Sequence, residues 1–157
     1  MMDDYLAEIS AEEQKVFTAI ADYVLSLGYK AKKDATGNLG YTFRHPHIKK
    51  TIVRFTMARN RPIVRFKFYV SHEYSVFFHE AIRATIEEYN YKYTGCYHCG
   101  HCNGTQGYTY RYPDGRQYFR CGAELIELFD VIHIPMDEFQ SLFNTQHAFY
   151  LAQKHKR

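Results

Sequence analysis

The sequence has no tryptophan, four prolines and only four cysteines, and no stretch approaches the roughly 18 consecutive apolar residues of a membrane span. The last absence excludes a transmembrane helix. The absence of internal repeats, low-complexity tracts and Pro/Gly/Ser-rich linkers excludes fibrous and multi-segment organisation. A glycine-rich phosphate loop, a nucleophile elbow and a carboxylate pair in a setting that perturbs its ionisation are also missing, which turns the reading away from hydrolysis and toward a non-catalytic protein. What is present is a chain of 157 residues, 46% hydrophobic and 24% charged, enough to bury about two-thirds of its unfolded surface as one domain spanning 1–157. Its start, Met1-Met2-Asp3-Asp4-Tyr5-Leu6-Ala7-Glu8, is acidic where a secretory or transit peptide would be basic, which predicts a cytoplasmic location.

Locally, the scarcest thing is negative charge. Residues 30–72 carry eleven Lys and Arg against Asp34 alone, whereas residues 1–29 carry six acids against Lys15; the net charge of +3 conceals these opposed blocks. The patterning says what the blocks are. Ser10-Ala11-Glu12-Glu13 is a capping box, followed at helical spacing by Val16, Phe17, Ile20, Val24 and Leu27, then Gly28, which predicts an acidic helix over 11–27. Period-two stretches at 39–44, 52–57 and 63–70, separated by Arg44-His45-Pro46-His47 and Arg59-Asn60-Arg61-Pro62, predict three consecutive antiparallel strands. A second helix is expected over 73–90, short strand-like pieces at 123–128 and 131–134, and a final helix from Pro135. The fold class is α+β: an antiparallel sheet with helices on one face.

Alternation sorts the strand residues by face. Leu39, Tyr41, Phe43, Val53, Phe55, Met57, Val64, Phe66, Phe68 and Val70 form the face that helices can cover. The opposite face carries Arg44, Arg54, Arg65, Lys67 and Tyr69, with Thr42 and Thr56. Arginine forks with an aromatic between them suit phosphate or carboxylate groups, so this face is a candidate binding surface for nucleic acid or an anionic small ligand. An ordinary solvated sheet face would look the same.

All four cysteines lie in Cys96-Tyr97-His98-Cys99-Gly100-His101-Cys102 and Arg120-Cys121-Gly122. Two thiolates two residues apart can meet one ion because the intervening backbone turns its amides toward sulfur. Gly107–Tyr112 and Gln117–Cys121 flank the turn Pro113-Asp114-Gly115, a hairpin that would return Cys121 to the first cluster. Cys96, Cys99, Cys102 and Cys121 are therefore candidate ligands of a structural zinc ion, in a hairpin inserted at about 94–122. An iron–sulfur cluster and a C-x-x-C dithiol doing redox work are the alternatives. His98 and His101 could replace a thiolate, and His45-Pro46-His47 could seed a second metal site. Arg111, Arg116 and Arg120, interleaved with tyrosines, extend the candidate anion-binding set onto this hairpin.

Residues 96–122 resemble a zinc ribbon, with three cysteines on the first arm and one on the second in place of two and two. The opening, Asp4-Tyr5-Leu6 and Ser10-Ala11-Glu12-Glu13-Gln14, then a helix and three strands, resembles the small bacterial α+β proteins of the YdhG-like type, a resemblance that implies a fold and no catalytic residues. Two functional expectations follow: a zinc-stabilised binding module with a basic aromatic sheet face, or a redox protein using the same four cysteines. A small-molecule sensor domain is a variant of the first.

Overall fold

The computed structural model describes residues 2–35, 37–71, 73–98 and 106–155. Four helices, α1 (Asp3–Leu6), α2 (Ala11–Ser26), α3 (Val76–Glu88) and α4 (Met136–His155), accompany seven strands. Strands β1 (Lys30–Lys33), β2 (Tyr41–Arg44), β3 (Val53–Ala58), β4 (Arg61–Phe66) and β7 (Ile126–Leu128) form one antiparallel sheet in the order β1-β2-β3-β4-β7. Strands β5 (Gly107–Arg111) and β6 (Gln117–Cys121) pair separately as a hairpin. The α+β class with antiparallel sheets is thus realised. Among the described residues no helix is long and apolar enough to cross a membrane.

Helix α2 starts where its capping box says it should. Glu13 N–H donates to Ser10 Oγ at 3.1 Å and Ser10 N–H donates to Glu13 Oε1 at 2.9 Å, satisfying two amides that the helix itself leaves without partners. Its buried side chains, Phe17, Ile20, Ala21 and Val24, recur at helical spacing and face the sheet. Gly28, at φ 94°, then takes the left-handed conformation that ends the helix at low steric cost. The β3–β4 connection is equally local in origin: Arg59 and Asn60 both have positive φ, the backbone of a two-residue hairpin turn whose twist matches its strands.

Burial follows the expected alternation in β3, whereas in β2 and β4 Thr42 and Ile63, on the opposite face, are buried as well. Tyr41, Phe43, Val53, Phe55, Val64 and Phe66 are buried on the helix-covered face. Phe17 of α2 meets Phe55 edge-on at 4.7 Å, and Phe139 of α4 lies 4.4 Å from Phe66. Each such fully buried aromatic contributes on the order of 1.5–3 kcal/mol through the apolar area it removes from water. Tyr108 of β5, with no exposure, belongs to the same apolar cluster and packs 5.3 Å from Phe68, so the hairpin is anchored to the main core.

Three expectations need correction, and one strand is unforeseen. The third strand ends at Phe66 and not at residue 70: Lys67 N–H makes one further bond to Ile52 O, after which a turn takes the chain out of the ladder. Residues 131–134 form not a strand but a short 3-10 turn, Val131–His133, closed by local bonds from His133 N–H to Asp130 O and from Ile134 N–H to Val131 O. Helix α3 begins at Val76, three residues later than expected. Strand β1, Lys-Ala-Lys-Lys, has no apolar alternation and becomes a strand only because it pairs residue for residue with β2.

Candidate functional site

The solvent-side face of the sheet is organised by register. Lys32, Thr42, Arg54, Arg65 and Glu127 stand opposite one another on β1, β2, β3, β4 and β7, a single row across the sheet, and Lys30 opposes Arg44 in the next. Arg54 and Arg65 are direct cross-strand neighbours, an arrangement of like charges that costs energy unless each finds an acid. Each does. Arg54 Nη2 lies 3.1 Å from Asp34 Oδ2, and Arg65 Nη2 lies 3.5 Å from the buried Glu127 Oε2. Asp34 also accepts from Thr42 Oγ1 at 2.8 Å. Its position depends on Gly40, where an added Cβ would stand 2.7 Å from Asp34 Oδ2 and 2.8 Å from the Phe55 carbonyl.

Beside this braced row lies a cleft of about 410 Å3, lined by Lys32, Lys33, Asp34, Thr42, Arg44 and Arg54, among others. A second cavity of about 410 Å3 adjoins it under the 45–51 loop, where Arg44 and Thr51 recur beside His45, Lys49 and Lys50. Together the two are lined by six Lys and Arg residues and, among the described lining residues, one carboxylate, Asp34; of the six, Lys33 is already paired, its Nζ 2.6 Å from Asp4 Oδ2. Among the described residues Arg44 is exposed and has no ion-pair or hydrogen-bond partner, and the same holds for Lys32, Lys49 and Lys50. Lysines 32, 33, 49 and 50 were not among the expected binding residues. Their signal was present in the charge count of residues 30–72, but without β1 and the loop geometry it could not be assigned to one place.

The other expected anion-binding residues are distributed differently. Lys67 and Tyr69 are not on the solvent face: they are 5% and 8% exposed, because the chain has left the ladder and turned under α4. Lys67 Nζ sits 5.9 Å from the Tyr150 ring, and burial pushes its pKa down to about 8. Tyr69 Oη approaches Tyr150 Oη at 3.4 Å. On the hairpin, Arg111 is held by Gln117 Oε1 at 2.9 Å and Arg116 by Asp114 at 2.8 Å over the Tyr112 ring. Arg120 is 4% exposed and stacks 4.9 Å over Tyr89. Arg44 and Arg54 are thus the two expected residues that line the cleft. Arg65 is tied to Glu127, and Arg120 is a buried packing cation.

The cysteine hairpin is described in part. Gly95 bridges Arg120 in parallel, with Gly95 N–H donating to Phe119 O at 2.6 Å, so Cys96 and Cys121 are the next residues along two adjacent backbones. His98 N–H donates to Cys96 Sγ at 3.4 Å, an amide turned toward sulfur by a left-handed residue, His98, at φ 53°. Gly122, directly after Cys121, lies so close to Gln106 O that a Cβ would stand 2.6 Å away. Cys99, Cys102 and His101 lie outside the described residues, as does His72. Among the described residues no three His, Cys, Asp or Glu form a metal-holding group, and this concerns only Cys96 and Cys121 of the four thiols.

Two further clusters escaped the sequence reading. Glu88 and Glu127 form a carboxylate pair after all: burial, then the Glu127 charge, raises the Glu88 pKa, while Tyr89 Oη donates to Glu127 at 2.9 Å. With Arg65 they tie α3 and β7 to β4. His45 and His147, 102 positions apart in number, meet with ring centroids 5.3 Å apart, and Tyr29 Oη pairs with His147 Nδ1 at 2.8 Å. Sequence spacing offers no sign of either, since the partners come from different elements.

No family model, curated protein or solved structure matches this chain. The likeness of residues 96–122 to a zinc ribbon therefore rests on the cysteine spacing and hairpin alone.

Proposed function

We propose that this protein is a non-catalytic binding module for an anionic, phosphate-type ligand, with a zinc ion closing the hairpin through Cys96, Cys99, Cys102 and Cys121. One observation carries the reading: the paired cavities around Arg44 gather six cations, four of them without an ion-pair or hydrogen-bond partner among the described residues, while Lys33 is paired with Asp4 and Arg54 with Asp34. Such a concentration of unneutralised charge is self-repulsive in the free protein and is relieved when an anion enters. A small ligand is favoured over a nucleic-acid strand. Among the described lining residues no exposed Phe or Tyr is offered for base stacking: Phe43 has no exposure, and the His45 ring is packed against Tyr29 and His147.

The described half of the cysteine arrangement fits a metal. An amide already directed at Cys96 Sγ is what a thiolate ligand accepts, and Cys121 stands beside it on the neighbouring backbone. Asn90, Tyr91 and Tyr93 all adopt positive φ on the approach to Cys96, conformations that cost on the order of 1 kcal/mol or more each and need an organising contact. A four-thiolate zinc ion would supply that contact and leave no coordination site for chemistry.

Two measurements on the full chain test the proposal. Phosphate titration at several salt concentrations should show affinity that falls as salt rises; no binding even at low salt defeats the anion reading. Metal analysis with a visible spectrum should give one zinc per chain and no colour. A brown anaerobic preparation would instead establish the iron–sulfur alternative, and a metal-free chain with a reversible Cys96–Cys99 disulfide the dithiol one.

A further inference from the structure

The cleft has two chambers that meet at two residues. On one side are Lys32, Lys33 and the braced Arg54; on the other are Lys49 and Lys50 beneath the 45–51 loop; Arg44 and Thr51 belong to both. A single anionic group would fill one chamber and leave the other with uncompensated charge. Arg44 is suited to span them, since a guanidinium presents five N–H donors in a planar fork and can bond two anionic groups at once. Its side chain is exposed and has no acid of its own among the described residues, unlike Arg54 and Arg65. The Asp34 carboxylate does not compete for it, being engaged with Thr42 and Arg54. The two residues the chambers share, Arg44 and Thr51, are polar, and the apolar lining residues Phe43 and Ile48 are buried, so recognition is of the phosphates themselves.

We infer that the cleft binds one ligand carrying two linked phosphate groups, a diphosphate or longer oligophosphate, with one group in each chamber and Arg44 between them. This rests on the reading of the cleft as an anion site. Binding of the second group is then largely intramolecular, because the first has already fixed its position.

The test is calorimetric titration of the full chain with orthophosphate, pyrophosphate and tripolyphosphate at constant ionic strength. Pyrophosphate should bind at least about tenfold more tightly than orthophosphate, well beyond the effect of its extra charge at matched ionic strength. The double variant Lys49→Gln/Lys50→Gln should lose about tenfold in pyrophosphate affinity while orthophosphate, still held by the first chamber, changes by less than about threefold. Arg44→Gln should weaken both. Unchanged circular dichroism and thermal unfolding would show that each variant is folded. Equal affinity for orthophosphate and pyrophosphate, or a double variant that weakens both alike, overturns the two-chamber inference and leaves the anion site standing. Absence of binding by all three ligands overturns both. An oligonucleotide that binds more tightly than tripolyphosphate, with affinity growing with strand length, overturns the inference in favour of a strand-tracking surface.

Discussion

At Asp34 one carboxylate accepts from Thr42 and from Arg54, and it is the one acid among the described residues lining a cleft of six cations, of which Lys33 is paired with Asp4. Asp34→Asn keeps an oxygen for Thr42 and removes the charge that neutralises Arg54. We expect a stability loss of about 1 kcal/mol, read from the urea midpoint, because the Arg54 pair is partly exposed and solvent-screened. The same variant should bind phosphate about threefold more tightly, since the carboxylate no longer repels the ligand. Weaker binding would show that Asp34 positions Arg54 more than it competes with the anion. His147 gives a pH prediction. Burial first, and then the charge of His45, lowers its pKa below the usual 6.5, and its other neighbours are Tyr29 Oη and the Phe143 ring. The unfolded chain therefore binds the proton more readily than the folded one. The contribution of His147 is present above pH 6.5 and is lost as pH falls toward the folded value. His147→Gln should flatten the acid limb of a stability-against-pH curve just below 6.5; an unchanged limb would assign it to other groups.

At the level of elements, the cysteine hairpin and the five-stranded sheet should respond differently to metal removal. The sheet and its helices have their own apolar cluster, whereas residues 90–98 run through left-handed backbone toward Cys96. Chelation should therefore speed tryptic cleavage after the exposed Lys92 while leaving the far-ultraviolet spectrum nearly unchanged. Cleavage insensitive to chelator would count against a structural ion. The same contrast explains which elements can be read from the chain. Helix α2 and strands β2, β3 and β4 are legible because capping, period and turn chemistry agree locally. Strand β1 is not: Lys30, Ala31, Lys32 and Lys33 are set by pairing to β2, a non-local cause. The misplacement of Lys67 and Tyr69 has the same root, since alternation persists in the sequence past the point where the ladder stops. For the candidate site, charge density was visible and its gathering into two chambers was not, because Lys49 and Lys50 reach the cleft through a loop.

The whole molecule is electrically two-sided. Acidic residues such as Glu12 and Asp22 lie exposed on α2, which covers one face of the sheet, and the basic row and cleft occupy the other. A chain of net charge +3 should then behave on a cation exchanger as if more basic than its total, because the resin meets one face at a time. The triple variant Lys32→Gln/Arg44→Gln/Lys49→Gln should elute at markedly lower salt than Lys15→Gln/Lys92→Gln/Arg111→Gln, which removes equal charge from exposed positions elsewhere. Equal elution would mean that the charges act only through their sum.

Strand β1 is also the outer margin of its sheet, with one side of its backbone paired to β2 and the other unpaired in the strand order. A margin of this kind can template a second sheet, and three lysines in four residues oppose that by mutual repulsion between copies. The lysines proposed to draw an anion into the cleft thereby also oppose edge-to-edge growth. Recognition and solubility are vested in the same short strand, and a ligand that neutralises it acts on both.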